Sequence, residues 1–231
     1  MVNVIAEAAA VGDEARFACR FVAAAPGVTS VYMTSGSRPK LLQGRAYIEE
    51  VFGGLTLRIY PLSFFQPNPR TAEQLYRHMI SMARIGNTER VAGLYCGAGT
   101  LELFLGRHAK EVTGIDSSGE SIACAKENAA VNKIENVTFL REKVERAVTR
   151  LRGRKIDVAV IDPPRAGMSK EALIAVKDLK ADRLVYISCN PSTLARDLKM
   201  LRPAYRLKEV VPYDFFPHTG HFEVLTLLER Q

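Results

Sequence analysis

The sequence predicts an α/β protein: a largely parallel sheet covered on both faces, an antiparallel final strand, and a small β-rich segment ahead of it. Three observations carry this. From about residue 70, short apolar runs alternate with stretches of helical spacing, the pattern of strand–helix–strand units. The last two strand-like runs, Arg206 to Pro212 and Glu223 to Leu228, are only about ten residues apart. That is too short for a parallel crossover, so they pair antiparallel. Residues 1 to 62 hold short β-rich pieces without this alternation. The chain therefore divides into residues 1–62 and 63–231.

Taken in order, the Ala-rich stretch Ile5 to Val11 has helical composition but no framing cap, and the first 25 residues are poorly defined. Gly27 to Met33 reads as a strand. Ala46 to Val51 and Leu55 to Tyr60 flank Phe52-Gly53-Gly54, a hairpin with glycines in its turn. Arg70 to Arg84 places Leu75, Met79 and Met82 at helical spacing. Strands follow at Arg90–Tyr95, Glu111–Ile115, Val137–Leu140, Ile156–Ile161 and Arg183–Ser188. Helices follow at Leu101–His108, Glu120–Val131, Lys143–Leu151, Lys170–Leu179 and Ser192–Leu201.

Composition bounds the function. The 231 residues are 47% hydrophobic and 25% charged, as expected of a globular protein. No apolar run approaches the ~20 residues that span a bilayer, and Met1-Val-Asn-Val-Ile-Ala-Glu7 lacks the basic start of a secretory signal. A cytoplasmic location with no membrane partner is expected. Cys19, Cys96, Cys124 and Cys189 are scattered without a C-x-x-C pair. This argues against a zinc site, an iron–sulfur cluster and a disulfide framework. Cys19 and Cys124 read as packing residues. The net charge of +7 suits a nucleic-acid partner, although a mildly basic enzyme would carry it as well.

Six stretches sit at predicted strand ends or loops. Leu94-Tyr-Cys-Gly-Ala-Gly-Thr100 ends the first strand of the α/β part, and Gly97 and Gly99 let the backbone approach a ligand closely. Alone, an ordinary strand-to-helix turn explains them equally. Asp116 ends the next strand, where a carboxylate hydrogen-bonds ribose hydroxyls or caps a helix. Together the two favour a nucleoside. The third glycine of a dinucleotide loop is replaced by Glu102, so S-adenosylmethionine, which has no pyrophosphate, fits better than NAD. Asp162-Pro-Pro-Arg165 brings a rigid carboxyl to the same edge. Leu62-Ser-Phe-Phe-Gln-Pro-Asn-Pro69 precedes the α/β part. Core packing accounts for Phe64 and Phe65, but less readily for Gln66 and Asn68. Finally, Cys189 in Ser188-Cys-Asn-Pro-Ser-Thr-Leu-Ala-Arg-Asp197 and Glu223 in Asp214-Phe-Phe-Pro-His-Thr-Gly-His-Phe-Glu223 offer a nucleophile and a base.

These stretches, in this order and spacing, resemble the RNA uracil-5-methyltransferase family, which makes 5-methyluridine in transfer and ribosomal RNA. The resemblance runs from about residue 45 to the C-terminus. It implies a Rossmann-like S-adenosylmethionine methyltransferase domain and an rRNA or tRNA partner. It implies Cys189 as nucleophile, Glu223 as base, and Gln66, Tyr95, Gly97, Gly99, Asp116 and Asp162 as cofactor-binding residues. The helix after Asn190 is expected to assist the thiolate through its N-terminal potential. His218 and His221 are expected to orient Glu223, contact RNA or brace their loop. Arg165, Arg196 and Lys199 are candidate phosphate contacts.

The chain departs from the family at three places. Gly93 stands where members often carry an acidic residue. Lys143 stands where some carry a small or amide residue near the adenine. Residues 1 to 60 leave little room for the β-barrel RNA-binding domain of many members, so RNA contacts are expected from the β-rich segment, the sheet edge or a partner. Two other functions stay open: methylation of another base, with Asp162-Pro-Pro holding an exocyclic amine, or an RNA-binding accessory module with little activity.

Overall fold

The computed structural model describes residues 1–5, 13–36, 38–151 and 153–231. The Ala-rich stretch read as helical falls almost wholly at 6–12, outside these residues. Around it, a three-stranded sheet is formed by β1 (Val2–Ile5), β2 (Ser30–Ser35) and β3 (Arg38–Gly44). β1 runs parallel and β3 antiparallel to β2. Helix α1 (Glu14–Ala24) starts where the Asp13 side chain accepts the Arg16 N–H. β1, α1 and β3 escaped the sequence reading. β1 has four residues, and β3 carries Pro39, which a strand accepts only at an edge.

The predicted hairpin is β4 (Ile48–Phe52) and β5 (Leu55–Ile59). Gly53 and Gly54 both take positive φ, +55° and +80°, as a tight two-residue turn requires. Phe52 and Leu57 are buried in the same core as the main sheet.

The main sheet comprises β6 (Arg90–Leu94), β7 (Glu111–Asp116), β8 (Val137–Arg141), β9 (Val158–Ile161), β10 (Arg183–Ser188), β11 (Tyr205–Tyr213) and β12 (Glu223–Arg230). Their spatial order is β11-β12-β10-β9-β6-β7-β8. β12 is antiparallel to both neighbours, and the pairs from β10 to β8 are parallel. The Rossmann-like expectation is met, including the antiparallel final strand.

Alternation along each strand sorts side chains to two cores. Val91, Val112, Val158, Val160, Val185, Ile187, Leu225 and Leu227 face one core. There they meet α2 (Pro69–Met82), α3 (Thr100–Gly106), α4 (Gly119–Val131) and the hairpin. Ala92, Leu94, Ala159, Ile161, Leu184 and Tyr186 face the other, under α5 (Val144–Leu151), α6 (Lys170–Leu179) and α7 (Pro191–Leu201). No described helix is long and apolar enough to cross a membrane.

Two side-chain devices tie peripheral segments down. On α4, Asn128 and Asn132 lie one turn apart. Their amide oxygens accept the Arg58 and Thr56 N–H groups (2.7 and 2.9 Å), and their amide nitrogens donate to the same residues' carbonyls. A helix thereby satisfies the open edge of β5 as a strand would. The second device is Asp197 on α7, fully buried. Its carboxylate accepts the Tyr186 hydroxyl (2.7 Å), the Met168 N–H (2.8 Å) and the Arg196 guanidinium (2.8 Å). It joins β10, α7 and the loop after Asp162. Removing it leaves a buried hydroxyl and a buried N–H unpaired, each costing about 1–3 kcal/mol. Asp197→Ala is therefore expected to lower unfolding free energy by about 2–5 kcal/mol in a urea titration.

Candidate active site

The parallel strands end at one sheet edge, and their register decides which side chains gather there. Leu94 pairs with Ile115 and Ile161, so Tyr95, Asp116 and Asp162 stand one step further along, at the C-terminal ends of three adjacent strands. Tyr186 pairs with Ile161, which brings the end of β10 beside Asp162. Ser188 pairs with Val224 across the antiparallel β10–β12 pair. One step further, Cys189 leaves β10 where Glu223 enters β12. Strand order reverses between β9 and β6, the switch point where open α/β sheets bind ligands.

A cavity of about 480 Å³ opens there, lined by Gln66, Tyr95, Gly97, Asp116, Asp162, Cys189 and Glu223 among others. Apart from Gly99, every residue expected to bind cofactor or act in catalysis is in this lining. Gly99 lies behind it as the left-handed cap of α3 (φ +80°), where an added Cβ would press on Phe139 and Ala125.

The loop fits a nucleoside-bearing cofactor. Gly97 has φ +51° with open space at its Cβ position. Asp116 accepts the Gly97 N–H (3.0 Å) on one oxygen and the Ser118 N–H (2.8 Å) on the other. The carboxylate is held in place, with lone pairs left for hydroxyl donors. Capping of α4 falls instead to Ser118, whose hydroxyl accepts the Ser121 N–H. Tyr95 adopts φ +67°, a strain of about 1–3 kcal/mol of the kind that marks binding loops. Burial pushes its phenol up to about 12, so it remains a hydrogen-bond donor.

The aromatic pair divides its tasks. Phe65 packs edge-on against Phe52, whereas Phe64 is 69% exposed at the cavity mouth. Asn68 caps α2 by accepting the Thr71 N–H, with Pro69 following.

At the opposite end stand the thiol and the carboxyl. Burial raises the Cys189 thiol, Glu223 raises it further, and Arg165 pulls it down. In the ligand-free site burial and the neighbouring carboxyls outweigh Arg165, so the thiol stands above its ordinary range. The N-terminus of α7 does follow it, capped by Asn190. Burial raises Glu223, with Arg165 again opposing. Burial, then Glu223, push Asp162 up to about 7.

Arg165 is held by its own backbone: its carbonyl accepts the Asn190 amide and the Thr193 hydroxyl. The Asp162-Pro-Pro-Arg165 and Cys189-Asn-Pro motifs are thus locked together. His221 approaches the Arg165 guanidinium (3.4 Å) and packs edge-on against Phe216. His218 is exposed at φ +66°.

Other expected roles shift. Arg196 spends its donors on Asp197 and the Ala166 and Met168 carbonyls, which makes it a brace. Lys199 is exposed. Lys143 is also exposed and lies outside the cavity lining; its carbonyl opens α5. Cys124 is buried as expected, but Cys19 is exposed. Among the described residues no cluster of three His, Cys, Asp or Glu suits a metal.

The sequence reading missed Glu102. It noted this residue only as a substitute for a glycine, yet the side chain lines the cavity and is 1% exposed. The signal was an acidic residue inside the apolar run Thr100-Leu-Glu-Leu-Phe-Leu105. Arg165, expected only as a phosphate contact, lines the same cavity and acts electrostatically on both the thiol and the carboxyl.

Comparison with known proteins agrees with this geometry. The family model "tRNA (Uracil-5-)-methyltransferase" matches residues 36–231. An uncharacterised RNA methyltransferase of Caldanaerobacter subterraneus is 43% identical over 86% of this chain and 44% of its own length. One from Halalkalibacterium halodurans is 40% identical over 84% and 43%. The chain thus spans less than half the length of these relatives. The tRNA (uracil-54, C5)-methyltransferase of Pyrococcus abyssi, solved with S-adenosyl-L-homocysteine, superposes with a TM-score of 0.79 at 29% identity. The match covers 99% of this chain and 56% of that one. A Streptococcus thermophilus rRNA methylase shares the fold (TM-score 0.56, 15% identity) over 70% of this chain and 96% of its own. With the fold, the shared edge and a family match across most of the sequence in agreement, the chain belongs to the tRNA (uracil-5-)-methyltransferase family of S-adenosylmethionine-dependent RNA methyltransferases.

Proposed function

We propose that this protein methylates carbon 5 of a uridine in tRNA or rRNA, using S-adenosylmethionine and a covalent adduct at Cys189. The observation that carries this is the β10–β12 register, which sets Cys189 and Glu223 together at one end of a cavity whose other end holds Asp116 and the glycine loop. S-adenosylmethionine supplies a methyl group on a sulfonium.

The chain's own residues supply the rest. The Cys189 thiolate attacks carbon 6 of the uracil, and the electrons of the 5,6 double bond move into an enolate. Carbon 5 then takes the methyl group. Glu223 removes the proton from carbon 5, the double bond re-forms, and the thiolate leaves. Dividing the reaction this way replaces one hard step by easier ones. A base reaching this depth must be flipped from its stack, and Phe64, exposed at the mouth, offers it a stacking face. Gln66, Tyr95, Gly97, Gly99, Asp116 and Asp162 hold the cofactor. Residues 1–62 are the segment we assign to RNA contact, and 63–231 the methyltransferase domain.

Arg165 has a defined electrostatic task. A thiolate and a carboxylate side by side repel, and Arg165 is the cation that lowers both.

Three outcomes test this reading. RNA carrying 5-fluorouridine should trap a denaturation-resistant adduct, because fluorine cannot leave as a proton. Cys189→Ala should trap none, and an equal yield from both would remove Cys189 as nucleophile. Glu223→Gln should accumulate adduct on ordinary RNA, seen as a retarded band on a denaturing gel; full turnover would remove Glu223 as base. Because the thiol is raised, adduct formation should climb about tenfold per pH unit between pH 7 and 9. Arg165→Met should shift that limb to higher pH, measured as single-turnover trapping rate, and an unshifted limb would take Arg165 out of the thiol's electrostatics.

A further inference from the structure

Resting on the reading of this cavity as an S-adenosylmethionine site, the inference concerns Glu102. On β6 and β7, Gly93 and Gly114 are direct partners. Both lie on the face covered by α3, because Val91 and Val112, two residues before each, point there. Two glycines side by side leave a hollow in the sheet. Glu102 descends from α3 into it. A Cβ added at Gly93 would collide with the Glu102 carboxyl, and one at Gly114 would stand 3.0 Å from its Cγ. The side chain is 1% exposed and lines the cavity, and its Oε2 has no hydrogen-bond partner. A buried carboxyl oxygen left unpaired costs free energy unless a ligand satisfies it.

The surroundings define what that ligand carries. The electrostatic neighbours form a row: Asp116 and Asp162 both act on Glu102, and Glu223 acts on Asp162. Tyr76 on α2 feels Asp162, Glu102 and Glu223, and the Cys96 thiol feels Glu102 and Asp116. Among the described lining residues, Arg165 at the Cys189 end is the only cation. A cofactor whose ribose sits at Asp116 and whose methyl points toward Cys189 must place its cationic centres along the middle of this row. Glu102 and Asp162 are the groups there.

We propose that Glu102 is a cofactor-binding residue: its carboxyl meets the cationic methionine end of S-adenosylmethionine. It supplies from α3 the negative charge that the family resemblance leads one to expect on the strand, at the position of Gly93. Gly93 is then the space the arrangement needs, and its small size is not a lost contact. Burial, then Asp162 and Asp116, hold Glu102 up to about 8 in the free protein. A bound cation reverses that balance, so the cofactor's arrival expels a proton.

The test is calorimetric binding of S-adenosylmethionine and S-adenosylhomocysteine to wild type, Glu102→Gln and the double variant Gly93→Asp/Glu102→Ser. Each titration is run near pH 7 in two buffers of different ionisation enthalpy, which reads protons released. Glu102→Gln should weaken S-adenosylmethionine about tenfold to a hundredfold and reduce the proton release to the share that Asp162 supplies. Loss confined to S-adenosylmethionine assigns the contact to the sulfonium, and equal loss on both ligands assigns it to the shared ammonium. The double variant should regain most of the affinity by returning the carboxylate to the strand.

Ligand-free melting separates this from a structural role. A folded pKa raised above the unfolded value makes wild type lose stability as pH rises from about 5 to 8. Asp162, pushed up to about 7, and the raised Glu223 add losses of the same sign, so Glu102→Gln should lose less stability than wild type over this range without abolishing the loss, and should melt no lower than wild type near pH 8. Unchanged affinity and proton count in Glu102→Gln would overturn the inference while leaving the methyltransferase reading intact. Wild type binding neither ligand would overturn that reading and the inference with it.

Discussion

The antiparallel pairing of β10 with β12 is the constraint on which the site depends. Parallel strands deliver their C-terminal ends to one edge, and Tyr95, Asp116, Asp162 and Cys189 all arrive that way. Glu223 is the first residue of its strand. In a parallel strand it would lie at the far edge of the sheet, some 15–20 Å away by strand geometry. Only a reversed strand can begin where the others end. The nine residues between β11 and β12 then have to turn at this edge, and they carry Phe216 and His221 to the Arg165 side of the mouth. The pairing also keeps β12 between two neighbours, so its buried apolar run is never an open edge.

Charge is segregated in this molecule. The chain carries a net +7, but its cavity gathers four carboxyl groups, Glu102, Asp116, Asp162 and Glu223, against one arginine. A polyanion and a sulfonium make opposite demands. On the proposed reading the outer surface answers the first and the hollow the second. Arg165 stands at the boundary, where the base, the thiol and the carboxyl would meet.

Much of this was legible in sequence because it follows from local periodicity. Apolar runs such as Val158 to Ile161 are buried on both faces and read as strands without help. The motifs read well because each sits at a strand end, where one residue's position sets its exposure to ligand. What escaped was set by contacts distant in sequence. Asn128 and Asn132 look like ordinary polar helix residues, and only the backbone of Thr56 and Arg58, some 70 positions away, gives them their task. Arg196 reads as a surface cation until Asp197 is seen buried beneath it. The Cys19 thiol, expected inside, is exposed because α1 turns a different face inward, with Ala18 buried. β3 was hidden by its own proline, which the edge position tolerates.

Gly93 shows why a missing motif residue has to be judged in three dimensions. Along the chain it reads as a loss, because the family resemblance leads one to expect an acidic residue there. Across the sheet it is paired with a second glycine, Gly114, and the hollow is filled by Glu102, nine residues later on a helix, with its carboxyl at Gly93 and its Cγ beside the Phe139 ring at Gly114. A carboxyl on the strand at residue 93 and a glutamate at 102 cannot share that hollow, since the first would collide with the second. The two positions therefore exclude each other sterically, and on the proposed reading either would supply the same charge to the same cavity. Position-by-position comparison scores the strand change as a defect and the helix change as unrelated. Volume joins them: the glycine makes room, the glutamate fills it, and its buried Oε2 is left without a hydrogen-bond partner in a residue that lines the cavity.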